Sequence, residues 1–172
     1  MSNSPSKTVL IGIGNPFRRD DGVGRVIVRC LSGQLPAGVN LQEESGDGTE
    51  LLEAWKGADC AILVDAVQSG APAGTIHSFD AHAQKLPTWF SRSSTHAFGV
   101  AEAIELARIT DDLPSRLLVY GIEGLDFSPG LELSPELAKM VPVTVGLVLQ
   151  ALQQLSAERP ELPNLHQEKS AS

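Results

Sequence analysis

The sequence predicts an α/β protein, a three-layer α/β/α sandwich around a twisted, mostly parallel five-stranded sheet. Three observations lead there. Short apolar runs without polar alternation, at Val9 to Ile11, Ala61 to Val64 and Leu117 to Tyr120, read as strands covered on both faces. Stripes of apolar residues at helical spacing lie between and after them. The resulting order, β-α-β-α-β-β-α-β-α, is that of a three-layer α/β domain.

The first strand, around Val9 to Ile11, leaves through a glycine-rich loop and meets a helix marked by Val23, Ile27, Cys30 and Leu31. A weaker strand follows near Val39 to Glu43, then a short helix after Gly48 carrying Leu51, Leu52 and Trp55. The central strand ends at Asp65, and a second weak strand spans Thr75 to Phe79. Val100, Ile104 and Ala107 mark the next helix, and the strand at Leu117 to Tyr120 comes after it. The last helix shows Val145, Val148, Leu149, Leu152 and Leu155, with Pro142 suited to its first turn. Residues 1–6 and about 157–172 are polar and punctuated by proline, and read as loose tails of a single domain, 1–172, with its core at about 8–155.

The 172 residues, 42% of them hydrophobic, suit one domain with a real core. Thirteen Lys plus Arg against 21 Asp plus Glu leave a net charge of −8 and no basic stripe, which argues against nucleic acid or an anionic membrane as the main partner. A protein, a cation or a small molecule fits better. The apolar run at Val9 to Ile11 is broken by Gly12 and Gly14 before it could form a leader core, and no membrane span of roughly 18 apolar residues is expected. Cys30 and Cys60 fit no metal or redox spacing and read as buried free thiols. These features are those expected of a soluble, cytoplasmic protein.

Ligands of open α/β sheets collect beyond the carboxyl ends of the strands, so the strand exits are where chemistry is sought. The first exit reads Gly12-Ile13-Gly14-Asn15-Pro16-Phe17-Arg18-Arg19-Asp20-Asp21-Gly22-Val23-Gly24. It is neither a dinucleotide fingerprint, which needs glycine where Phe17 stands, nor a phosphate loop ending in G-K-[ST]. Asp20, just before a helix, reads as a capping residue. Asp21 and Asp65 have independent reasons to lie at the same sheet edge. Two ionised carboxylates about 5 Å apart repel by roughly 3 kcal/mol at an effective dielectric near 20, so such a pair holds a proton or recruits a cation. His96, in Ser93-Ser94-Thr95-His96-Ala97-Phe98-Gly99, would complete two oxygens and a nitrogen suited to a first-row divalent metal, provided the three residues meet.

His77, His82 and His166 lack metal-spaced neighbours and read as surface or structural, and Arg18 and Arg19 as a solvated pair. There is no G-x-S-x-G elbow and no activated cysteine, so water is the nucleophile if the protein is a hydrolase.

Taken together, the glycine-rich G-I-G-N-P-F-R-R-D-D-G-V-G segment, L-V-D-A at 63–66, S-S-T-H-A-F-G at 93–99, Y-G-I-E-G at 120–124 and L-S-P-E at 133–136 resemble the endopeptidases that mature [NiFe] hydrogenase large subunits. The resemblance covers about residues 8–155, in the same order. It implies a three-layer α/β fold and removal of a C-terminal extension from the hydrogenase precursor after nickel insertion. It also implies that Asp21, Asp65 and His96 touch nickel carried by the precursor, with no permanently bound cofactor. Two departures stand out. Asp21 occupies a position that is glutamate in some members, and a D-G-G-T-like turn reads Glu44-Ser45-Gly46-Asp47-Gly48-Thr49.

Two rival readings use the same residues. In a receiver-like phosphoacceptor domain Asp65 would take the phosphoryl group while Asp20 and Asp21 held Mg²⁺. Against it, the acidic pair stands several residues beyond the first strand, and the last strand's exit, Gly121-Ile122-Glu123-Gly124, lacks the required lysine. A non-catalytic nickel chaperone would bind Ni²⁺ tightly without any precursor.

Overall fold

A computed structural model describes residues 7–93 and 95–158. The expected tails at 1–6 and from 159 onward, His166 and Ser94 lie outside the described residues. The strands are β1 (Thr8–Ile13), β2 (Val39–Glu44), β3 (Cys60–Val67), β4 (Ile76–Asp80) and β5 (Arg116–Glu123). The helices are α1 (Val23–Leu31), α2 (Gly48–Ala54), the short α3 (Thr88–Ser93), α4 (Val100–Ile109) and α5 (Pro135–Ala157), and a 3₁₀ turn at Arg19–Gly22 precedes α1.

The sheet order is β2-β1-β3-β5-β4. β1 pairs in parallel with β2 and β3, β3 with β5, and only β4 runs antiparallel, at an edge. Alternation along each strand divides the core. Val9, Ile11, Ile13 and Leu63 face α2 and α4, where Leu51, Trp55, Ala103 and Ile104 are buried against them. Leu10, Ile62 and Val64 face α1 and α5, meeting Ile27, Leu31, Val148 and Leu152. The result is the expected three-layer sandwich. Each fully buried aliphatic side chain contributes roughly 1.5–3 kcal/mol, so the two cores hold the sheet between its helical layers.

Helix α1 sits unusually close to the sheet. A Cβ on Gly24 would stand 2.1 Å from the Val64 carbonyl oxygen, so only glycine permits this approach. The contact sets where the loop between β1 and α1 can go, and therefore the position of Asp21.

Three local expectations are corrected. Cys30 is exposed, not buried, because the inward stripe of α1 runs through Val23, Gly24, Ile27, Val28 and Leu31 and leaves Cys30 on its flank; Cys60 is half-buried. Pro142 lies inside α5 and not in its first turn. Ser134 and Pro135 already supply the start, and burial of Leu137 draws that extra length into the helix. Finally, α5 is long and apolar enough by length and composition to cross a membrane, with 23 residues and a mean hydropathy of 1.3. One face of it, including Thr144, Val148, Ala151, Leu152 and Leu155, is nevertheless buried within the protein.

Candidate active site

β1 runs out at Ile13 into Gly14, whose φ of +137° suits only glycine. A Cβ there would lie 1.7 Å from the Asp21 carbonyl oxygen, so the loop folds tightly back on the strand end. Within it the Asn15 side-chain oxygen accepts from the Phe17 N–H at 2.9 Å, an Asx turn. The Asn15 N–H donates to Asp21 Oδ2 at 2.9 Å, fixing the carboxylate at the carboxyl edge of β1.

β3 is the neighbour of β1, and its Asp65, in register with Gly121 of β5, reaches the same edge. On the other side of β1, the β2 exit brings Ser45 and Gly46. The segment before α4 brings Thr95 and His96. These two loops are joined by the Gly48 N–H, which donates to the Phe98 carbonyl at 2.8 Å. Asp47 caps α2 by accepting from the Thr49 and Glu50 N–H groups at 2.9 and 3.3 Å, and those bonds hold its carboxyl below the usual range. Gly99 begins α4, with its N–H donating to Glu102 Oε2 at 3.1 Å. The Glu44 to Thr49 loop is therefore a rigid wall of the site.

Asp21, Asp65 and His96 line one shallow, solvent-open cleft together with Gly14, Gly46 and Thr95. The three residues expected at one sheet edge all line this cleft. Among the described residues no group of three or more His, Cys, Asp or Glu side chains is drawn close enough to hold a metal ion by itself. Asp65 keeps a partly exposed edge in the cleft, yet its carboxyl is closely packed. Burial first, and then the nearby Asp21 charge, push its pKa up to about 8. A proton thus relieves the repulsion expected between the two carboxylates.

Asp20 is a correction. It does not cap the helix that follows it; it is fully buried, and its carboxylate binds residues far along the chain. Oδ2 accepts from the N–H groups of Leu125 and Asp126 and from Ser134 Oγ, each at 2.8 Å, and Oδ1 accepts from the Ser134 N–H at 2.7 Å. No local signal could have shown this. Arg19 is not freely solvated. Arg18 forms a β-bridge with Gly130, and Arg19 stands 3.5 Å from Asp126.

Glu123, part of the Y-G-I-E-G segment, closes β5. It is buried and accepts from the N–H groups of Ser69 and Gly70 at 2.8 and 3.1 Å and from Ser69 Oγ at 2.7 Å, with His77 Nε2 at 3.3 Å. It therefore pins the loop that leaves β3, and His77 is structural. With Asp20 wholly committed to hydrogen bonds and Glu123 at the β5 exit, the receiver-like reading fails, since neither a two-aspartate Mg²⁺ cradle nor a lysine is present there.

Fold and cleft together define an α/β protein with two carboxyl groups and an imidazole lining one cleft at the carboxyl edge of parallel strands. The chain belongs to the hydrogenase maturation protease family, whose family model matches residues 34–151, and it is a peptidase. Asp65 and His96 lie within that match, and Asp21 precedes it. The hydrogenase 2 maturation protease of Escherichia coli K12 is 27% identical over 88% of this chain and 94% of its own length. Among solved structures, an endopeptidase from Escherichia coli superposes with a TM-score of 0.77 at 27% identity, covering 87% of this chain and 93% of that one. The hydrogenase maturating endopeptidase HybD from E. coli has the same fold, with a TM-score of 0.72 at 24% identity, over 87% and 93% of the two chains.

Proposed function

We propose that this peptidase removes the C-terminal extension of a [NiFe] hydrogenase large-subunit precursor once nickel is in place, and that it reads the metal with Asp21, Asp65 and His96. The observation that carries this reading is their convergence on one open cleft. In it, nickel is cargo of the substrate. Held by the precursor's own ligands, it presents its remaining positions to two carboxyl groups and an imidazole, a mixture that nickel accepts.

Cleavage requires water to add to the scissile carbonyl and a proton to reach the departing amine. Asp21, fixed by the Asn15 N–H, supplies an acceptor at the cleft, and His96 an imidazole able to carry that proton. The reaction belongs in the cytoplasm in this reading, which agrees with two cysteines that form no disulfide.

The deciding experiment is intact mass of a large-subunit precursor, nickel-loaded and nickel-free, after incubation with the protein. Loss of a C-terminal peptide from the loaded sample alone supports the reading. Equal cleavage of both samples removes the metal requirement. Tight Ni²⁺ binding by the protein without any cleavage would indicate a chaperone instead.

A further inference from the structure

Four of the chain's eight arginines, Arg18, Arg19, Arg25 and Arg29, fall within twelve residues of an otherwise acidic protein. Three of them, Arg19, Arg25 and Arg29, line a pocket between the start of α1 and the loop at 125–134, with Leu131 and Leu133 as its apolar wall. Arg29 is satisfied by a two-pronged pair with Glu43, at 2.6 and 2.7 Å. The other two are held more loosely, each in an ion pair at 3.5 Å. The Nε atoms of Arg19 and Arg25 are buried and have no hydrogen-bond partner. Their nearest carboxylates, Asp126 for Arg19 and Glu43 for Arg25, stand at 3.5 Å, and Glu43 is already engaged by Arg29. The buried Nε atoms are closed to an incoming group, so a carboxylate in the pocket would meet the terminal nitrogens of these partly exposed forks.

The pocket is built, not accidental. Arg19 holds a positive φ of 45°, which is rare for a residue with a side chain. Its N–H donates to the Gly130 carbonyl at 3.0 Å, and the Gly130 N–H donates to Phe17 at 2.9 Å. A Cβ on Gly130 would meet Arg19 Nε at 2.9 Å, so glycine there makes room for the guanidinium. The four hydrogen bonds to Asp20 hold the opposite wall.

Its position indicates the occupant. A single turn serves both places, with Gly14 and Asp21 on the cleft and Pro16, Arg19 and Gly22 on the pocket. Phe17 and Leu131 are 68% and 74% exposed around it, an apolar rim. Resting on the proposed function, we infer that the pocket of Arg19, Arg25 and Arg29 is a specificity subsite that takes a carboxylate of the precursor polypeptide, flanked by apolar residues that rest on Leu131 and Phe17.

The test is steady-state processing of nickel-loaded precursor by the wild type, Arg25→Gln, Arg25→Lys and Leu131→Glu. Arg25→Gln raises KM about tenfold or more with kcat within twofold, and Arg25→Lys restores part of the loss, since it keeps the charge without the fork. Leu131→Glu changes an exposed residue, carries no folding risk, and raises KM by placing a competing carboxylate at the mouth. The source of the carboxylate follows from two further precursors, one with the Asp and Glu of the extension neutralised and one with an amidated C-terminus. Whichever reproduces the KM rise with wild-type enzyme, and adds nothing with Arg25→Gln, identifies it. Unchanged KM in both Arg25→Gln and Leu131→Glu while the wild type cleaves overturns the subsite. Failure of the wild type to cleave any loaded precursor overturns the proposed function instead, and the subsite with it.

Discussion

Asp20 and Asp21 are adjacent in the chain but their carboxylates have different tasks: Asp20 is buried against the loop at 125–134, and Asp21 takes the Asn15 N–H and opens onto the cleft. The 3₁₀ geometry of Arg19–Gly22 separates them, because successive side chains of such a turn point about 120° apart. The tether and the site therefore share one turn of backbone, and a change in either carboxyl has its own signature.

Asp21→Asn and His96→Ala should leave the thermal midpoint within a few degrees of wild type and lower processing of nickel-loaded precursor by about 10²–10⁴-fold. Mass spectrometry of the precursor after fixed incubation times checks this. Processing at wild-type rate by either variant would remove that residue from the reaction.

Asp20→Ala should do the reverse and cost stability on the order of 3 kcal/mol, because several buried donors lose their acceptor. Urea unfolding measures the loss. Hydrogen exchange should locate it in the loop at 125–134 and the first turn of α5.

Asp65 makes stability depend on pH. Its folded pKa of about 8 lies above the ordinary carboxyl value of 3.8, so between those values the folded state holds more proton than the unfolded one. The stability that proton provides is complete below about pH 4 and is lost as pH rises through about 8. Asp65→Asn should remove this slope and raise the midpoint at pH 8 by several degrees, while abolishing processing. Thermal scans from pH 5 to pH 9 on metal-free protein would show it, and parallel curves for the two proteins would contradict it.

Gly14→Ala places a methyl against the Asp21 carbonyl at a φ that side chains avoid. It should cost about 2 kcal/mol or more and displace Asp21, so that activity falls even where the variant remains folded. Gly33→Ala, with open space around it, is the control and should change neither quantity.

All five strands were legible in the sequence, because an apolar run without alternation, such as Ala61 to Val64, has few ways to be covered except inside a sandwich. Asp21, Asp65 and His96 were legible as candidates since strand exits are where such sheets keep ligands, and Asp21 and Asp65 share an edge because β1 and β3 are neighbours. What was not legible depends on contacts across the chain. The duty of Asp20 is set by Ser134, 114 residues away, while a local reading offered only a helix cap. Cys30 was misplaced because a helical stripe has an edge as well as a centre, and Pro142 because a later apolar pattern obscured the start at Pro135. Arg19 read as a solvated charge because Gly130 and Leu131, which stand beside it, are more than a hundred residues away in the chain.

The bond from Asp20 to Ser134 also has a consequence during synthesis. The turn that carries Asp21 is made before the partners that hold its far side, which follow more than a hundred residues later. Nascent chains that stop short of Ser134 therefore carry Asp21, Asp65 and His96 in their sequence without the finished turn, and the cleft matures only when the last helix begins to form.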